Sequence, residues 1–117
     1  MKRLLLVLAI ALHAHAERVV TLDPLRDTAV VYDTRTKTTA RYTTPSTPVA
    51  SAFLGDDLYI LARDARVVQR IGGPAIPVAQ DPAFLGVSEG RLYVYSRTTG
   101  VLEEIAGDRV TRRASVP

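Results

Sequence analysis

The sequence predicts an all-β protein built of antiparallel hairpin repeats, about three of them in series. Three observations carry this expectation. Residues 29–42 (AVVYDTRTKTTARY), 58–71 (LYILARDARVVQRI) and 92–105 (LYVYSRTTGVLEEI) align without gaps, and self-similarity of that kind marks a repeat architecture. Each segment opens on four apolar residues, crosses a short polar stretch and resumes as a second strand-like run, the pattern of a β-hairpin. No segment after residue 16 sustains apolar residues at i, i+3, i+4 and i+7 between caps, whereas Thr and Val, which favour strands, are frequent.

The chain begins with Lys2 and Arg3, runs through the apolar residues 4–12 and reaches the small-x-small triplet Ala14-His15-Ala16. That is the order of a secretory signal peptide. At ~1.5 Å per residue its apolar run spans roughly 14 Å, about half a ~30 Å hydrocarbon core, so it reads as a removed signal rather than a membrane anchor. The expected organisation is a signal peptide at residues 1–16 and a β-repeat domain at 17–117, exported to the periplasm or the extracellular space. The longest later apolar run, residues 58–62, is too short for a membrane helix, so no integral membrane segment is expected after cleavage. There is no cysteine, hence neither a lipid-bearing residue nor a disulfide. Losing Lys2 and Arg3 takes the formal charge of +3 to near +1, so the high pI does not argue for a polyanionic partner.

The hairpin turns are short and polar: residues 33–37, 63–66 and 97–100. Gly100 suits the positive φ of a tight turn, while Lys37 and Arg66 suit it less well. The first strand of each hairpin is apolar on both faces, as in a strand buried on both sides; the second is mixed and nearer solvent. Pro48-Val49-Ala50 recurs as Pro77-Val78-Ala79, and Ala52-Phe53-Leu54-Gly55 as Ala83-Phe84-Leu85-Gly86, which gives each unit about three strands. Corresponding positions are 29 residues apart at Ala29 and Leu58 and 34 apart at Leu58 and Leu92, the difference being assigned to connecting loops. Pro45, Pro48, Gly72, Gly73, Pro74, Pro77 and Pro82 mark those connections as non-helical.

At Leu58-Tyr59-Ile60-Leu61, Leu92-Tyr93-Val94-Tyr95 and Val31-Tyr32-Asp33-Thr34-Arg35-Thr36 the chain resembles β-propeller repeats of the YVTN or NHL kind, over most of residues 18–112. The Asn that often follows the Tyr-Val pair is absent. The resemblance implies about three blades, fewer than the 4 to 8 that typically close a propeller. An open β-meander or small sandwich is therefore the leading expectation for a lone chain, beside a propeller completed by oligomerisation and a part of a longer propeller. An open array exposes strand edges for pairing. Asp56, Asp57, Arg63, Arg91 and Arg97 flank the most apolar strands as gatekeepers would.

Residue inventory excludes much chemistry. His13 and His15, the only histidines, lie in the signal, which removes Ser-His-Asp and Cys-His catalysis and the common zinc, copper and haem ligand sets from the domain. Glu103 and Glu104 are adjacent on an expected strand and point to opposite faces, so they do not form the converging pair a glycosidase requires. Asp56 and Asp57 read as a solvated turn. Asp33, Asp64 and Asp81 read as turn formers rather than calcium ligands, since six to eight oxygens are needed and no Asp-x-Asp-x-Asp run exists. Arg109, Arg112 and Arg113 read as a solvated terminal cluster rather than a nucleic-acid site. Gly72-Gly73-Pro74 lacks the Lys and Ser or Thr of a phosphate loop. Tyr32, Tyr59, Tyr93 and Tyr95 read as packing between units. No catalytic, cofactor or metal residue is assigned. The expected function is protein binding or self-association through strand edges by an exported non-enzymatic protein. The alternative is a truncated fragment of a larger exported propeller whose ligand-binding or hydrolytic role is incomplete here.

Overall fold

The computed structural model describes residues 17–117; the signal segment, residues 1–16, lies outside the described residues. Eleven strands form three antiparallel sheets. Sheet I contains β1 (Arg18–Asp23), β2 (Thr28–Asp33) and β3 (Thr38–Thr43). Sheet II contains β4 (Pro48–Leu54), β5 (Asp57–Ala62), β6 (Val67–Arg70) and β7 (Ala75–Pro77). Sheet III contains β8 (Pro82–Ser88), β9 (Arg91–Ser96), β10 (Val101–Ala106) and β11 (Arg109–Ser115). Every neighbour in a sheet is also a neighbour in sequence, so each sheet is a meander closed by short polar turns. No helix occurs among the described residues.

The structural repeat is set one strand away from the sequence repeat in sheet I. The three hairpins form, but β1 and β2, not β2 and β3, correspond to β5–β6 and β9–β10. Four features fix this. Asp27, Arg66 and Gly100 end equivalent turns with φ of 53°, 56° and 65°. Their carbonyls accept from the backbone N–H of Thr44, Val78 and Val116 at 2.8, 2.9 and 2.8 Å, one bond made three times where the last strand of each sheet ends. The link from β3 to β4 then matches the link from β7 to β8; each ends on a positive-φ residue before proline, Thr47 at 65° and Asp81 at 59°. Finally, β1 lies against β4 as β5 lies against β8. Sheets II and III thus have four strands, and sheet I has only the last three among the described residues.

Two further expectations are corrected by the same register. The spacings of 29 and 34 residues compare unlike intervals, three strands from Ala29 on β2 to Leu58 on β5 and four from Leu58 to Leu92 on β9, and the segment expected to be a connecting loop holds the short strand β7 at Ala75–Pro77. Pro77 tolerates the site because β7 is an edge strand, where no ladder N–H is needed. The Ala-Phe-Leu-Gly match is not structural: Phe53 pairs with Leu58, whereas Phe84 pairs with Tyr95. The equivalent of Phe84 is therefore Ala50, which pairs with Leu61, and the equivalent of Phe53 is Val87, which pairs with Leu92.

The sheets stack face to face through two apolar clusters. Between I and II lie Ala29, Val31, Phe53, Leu58 and Ile60. Between II and III lie Tyr59, Leu61, Val68, Ile76, Leu92, Val94 and Ile105. In both contacts one sheet presents the face of its Leu22, Leu61 type and the next presents the face of its Leu58, Leu92 type, so stacking runs head to tail. The strand expected to be buried on both faces is so only in β5, where Leu58 through Ala62 are all buried. In β2 and β9 burial alternates, because each belongs to an end sheet with one neighbour.

Candidate interaction surface

Among the described residues head-to-tail stacking leaves two faces without a neighbour, one at each end of the array. On sheet III the open face carries Phe84, Tyr93, Tyr95, Leu102, Glu104 and Ala114. In sheet II the equivalent face carries Ala50, Tyr59, Leu61, Val68, Arg70 and Ile76, and its apolar members pack in or against the II–III cluster. Burial differs accordingly: Leu61 is 0% exposed and Ala50 half-buried, whereas Phe84 is 58% exposed. Phe84 and Tyr95 sit with ring centroids 6.0 Å apart, and Tyr93, Leu102, Glu104, Arg112, Arg113 and Ala114 line a shallow groove of about 220 Å³ beside them.

On sheet I the open face carries Val19, Thr21, Val30 and Tyr32. Val19 occupies the position of Leu58 and Leu92, and Tyr32 that of Ile71 and Ile105. The last two pack into the occupied contacts, while Val19 and Tyr32 are 36% and 39% exposed. Among the described residues sheet I also has no strand on the β1 side. Its gap toward sheet II is closed by Phe53, which is buried, and by the Arg18 guanidinium lying 4.3 Å from the centre of that ring, a cation–π contact.

Charged residues weighed for chemistry are engaged structurally. Glu103 is fully buried; its carboxylate accepts from the Ala79 N–H at 2.8 Å and from Arg113 Nε at 2.8 Å. Glu104, its chain neighbour, faces the other way and pairs with Arg91 at 3.2 Å and Arg112 at 4.0 Å. The opposite orientation expected from strand geometry holds. Arg109, Arg112 and Arg113 do not form a loose tail; they belong to β11.

The turn aspartates cap their own loops. Asp33 accepts from the N–H groups of Arg35 and Thr36 at 2.9 and 3.2 Å, and the Thr36 bond above all holds its carboxyl below the ordinary value. Asp64 accepts from the Thr47 hydroxyl at 2.6 Å, and Asp81 from that of Thr98 at 2.9 Å. Donor and acceptor are exchanged between these two braces, one joining Thr47 to the next turn and the other Asp81 to the next turn. The Thr47 bond, then the Arg63 guanidinium, holds the Asp64 carboxyl low. A polar groove of about 500 Å³ between these turns, lined by Arg63, Asp64, Arg66, Gln80, Asp81 and Thr98, is thus bordered by carboxylates that already have donors. Asp57 starts β5, and Asp56 lies in the turn before it. Among the described residues no group of three or more acidic or histidine side chains converges as metal ligands would.

Of the aromatic residues read as packing, Tyr59 is buried between sheets, Tyr93 and Tyr95 are half-buried on the open face of sheet III, and Tyr32 is exposed on that of sheet I. Phe84 was not singled out by sequence reasoning. Its apparent match to buried Phe53 hid it, and only the strand register separates the two.

No protein-family model and no curated protein matches the chain. Among solved structures, hydrazine synthase of Kuenenia stuttgartiensis, a propeller-containing protein, superposes with a TM-score of 0.74 at 18% sequence identity. The match covers 86% of this chain and 33% of that one. At that identity the likeness establishes the fold: an all-β array of three propeller-like sheets, open rather than closed.

Proposed function

We propose that this chain is an exported, non-enzymatic β-repeat protein that acts by protein binding or self-association, and that its binding surfaces are the two end faces of the array. The carrying observation is the open face of sheet III: the positions that pack against a neighbour in sheet II recur there as Phe84, Tyr93, Tyr95 and Leu102 without one. Exposed apolar clusters of this kind mark interaction sites. The face of sheet III carries this reading better than its β11 edge, because that strand is lined by Arg109, Arg112 and Arg113, which discourage edge pairing. Export rests on the signal pattern of residues 1–16, and the non-enzymatic reading on the lack of His and Cys after residue 16.

A photo-crosslinking residue placed at position 84 in the producing cell tests the reading, with position 25, 94% exposed on the β1–β2 turn, as the control. A protein adduct at 84 and none at 25 supports it; no adduct at 84 refutes it. A second reading draws on the same open faces: in a longer exported propeller they would be covered by further blades of the same polypeptide. The chain spans about a third of the length of the solved structure it matches.

A further inference from the structure

We infer that two copies of this chain close head to tail, the open face of sheet III on each copy packing on the open face of sheet I of the other, with Phe84 seated in the gap left beside β1. The inference rests on the exported, protein-binding reading above, with residues 1–16 removed on export, and names the partner as a second copy.

Continuity with the existing contacts is the first argument. Sheets I and II meet through one pair of faces, and sheets II and III meet through the equivalent pair. The two faces left over are the remaining members of that same pair, so a third contact of the same sense needs a sheet I placed after sheet III. The three sheets described are fewer than the roughly 4 to 8 blades of a closed propeller. Two copies bring six, within that range, whereas three copies bring nine.

The second argument is size. Sheet I has no strand beyond β1 among the described residues, so any sheet packed on either side of it meets a gap where sheets II and III carry β4 and β8. The chain has two phenylalanines; Phe53 stands opposite that gap in the I–II contact, and Phe84 would do so in the proposed one. Phe53, on β4, fills it from sheet II and is 5% exposed; the equivalent residue in sheet III, on the side of a sheet with a full complement of strands, is the smaller Val87, 43% exposed near the end of β8. Phe84, on β8, has as its equivalent in sheet II the small Ala50, which again faces a sheet with its first strand, β8, in place. A large side chain thus appears at each of the two positions that would look onto sheet I, and a small one at each that does not. One of the two has its neighbour within the chain; the other, Phe84, is 58% exposed and awaits it.

Head-to-tail pairing differs from pairing of two sheet III faces in what mutations do. The full chain, produced with its leader and purified from the compartment where it accumulates, is examined by size-exclusion chromatography with light scattering. A discrete species of twice the chain mass is expected. Phe84→Arg and Thr21→Arg, both at exposed positions, should each convert it to a monomer with an unchanged circular-dichroism spectrum. Mixing the two variants should restore part of the dimer, because the mixed pair retains one intact contact. A wild-type monomer, an open polymer series, or a dimer lost with Phe84→Arg but kept with Thr21→Arg overturns the inference. So does a crosslink from position 84 to a different protein, an outcome that leaves the protein-binding reading standing; absence of any adduct removes both.

Discussion

Sheets II and III carry nearly the same second strand and treat it differently. Leu58-Tyr59-Ile60-Leu61 and Leu92-Tyr93-Val94-Tyr95 are alike in apolar content, yet in β5 every one of these residues is buried, while in β9 Tyr93 and Tyr95 look outward. Strand chemistry does not create the difference; neighbours do. A sheet with a partner on each side buries both faces, and an end sheet with the same pattern keeps one face uncovered. An apolar run in a repeat protein therefore states that a strand can be covered twice, and the number of stacked units decides whether it is.

Equivalent substitutions in the two sheets should separate along that line. Leu61→Ala, at a position with 0% exposure between sheets II and III, should lower unfolding free energy by about 2 to 5 kcal/mol through lost burial and the cavity left behind. Phe84→Ala, at the exposed face, should change it by no more than about 0.5 kcal/mol in the monomer. Urea denaturation of both variants at low protein concentration measures the contrast, and a Phe84→Ala cost equal to that of Leu61→Ala would contradict the open face.

The paired glutamates sharpen it further. Removing the buried carboxylate by Glu103→Ala leaves the half-buried Ala79 N–H without its acceptor and Arg113 without its partner, a cost of about 1 to 3 kcal/mol. Glu104→Ala, which removes ion pairs at the open face with Arg91 and Arg112, should cost under about 1 kcal/mol. Thermal unfolding of the two single variants should rank them in that order.

The repeated left-handed turn gives a smaller contrast. At Gly100 an added Cβ would sit 3.2 Å from the Val116 carbonyl oxygen and φ is +65°, so Gly100→Ala should destabilise by about 1 kcal/mol. Arg66, at the same repeat position with φ of 56°, should respond oppositely, Arg66→Gly gaining up to about 1 kcal/mol. Denaturation midpoints of opposite sign would establish that the two turns are the same device.

The least effect belongs to the exposed braces. Asp64, held by Thr47 and then by Arg63, should titrate below the ordinary aspartate value in a carboxyl NMR titration, and Thr47→Val should move it back up. A carboxyl whose folded pKa is depressed contributes stability above its unfolded value, about 3.9, and loses that contribution as pH falls through the lower folded value. Any stabilisation from Asp64 is therefore confined to loss on the acid side, and neutral pH should show no change in slope.

Much of this was legible in residues 17–117 before any coordinates. Alternating and doubly apolar runs, polar turns and the lack of helical spacing determined an all-β hairpin array, because strand periodicity and turn chemistry are local properties. The Glu103 and Glu104 divergence was likewise readable, since successive side chains on a strand must point apart. Tertiary structure alone decided the true repeat register, the short strand β7, the three-stranded form of sheet I among the described residues and the separation of Phe53 from Phe84. Each of these depends on which strand pairs with which and which face meets a neighbour. A shift of pairing exchanges buried and exposed faces without altering a single residue, so the sequence could name the apolar side chains while only the stacking of three sheets determined which of them remain uncovered.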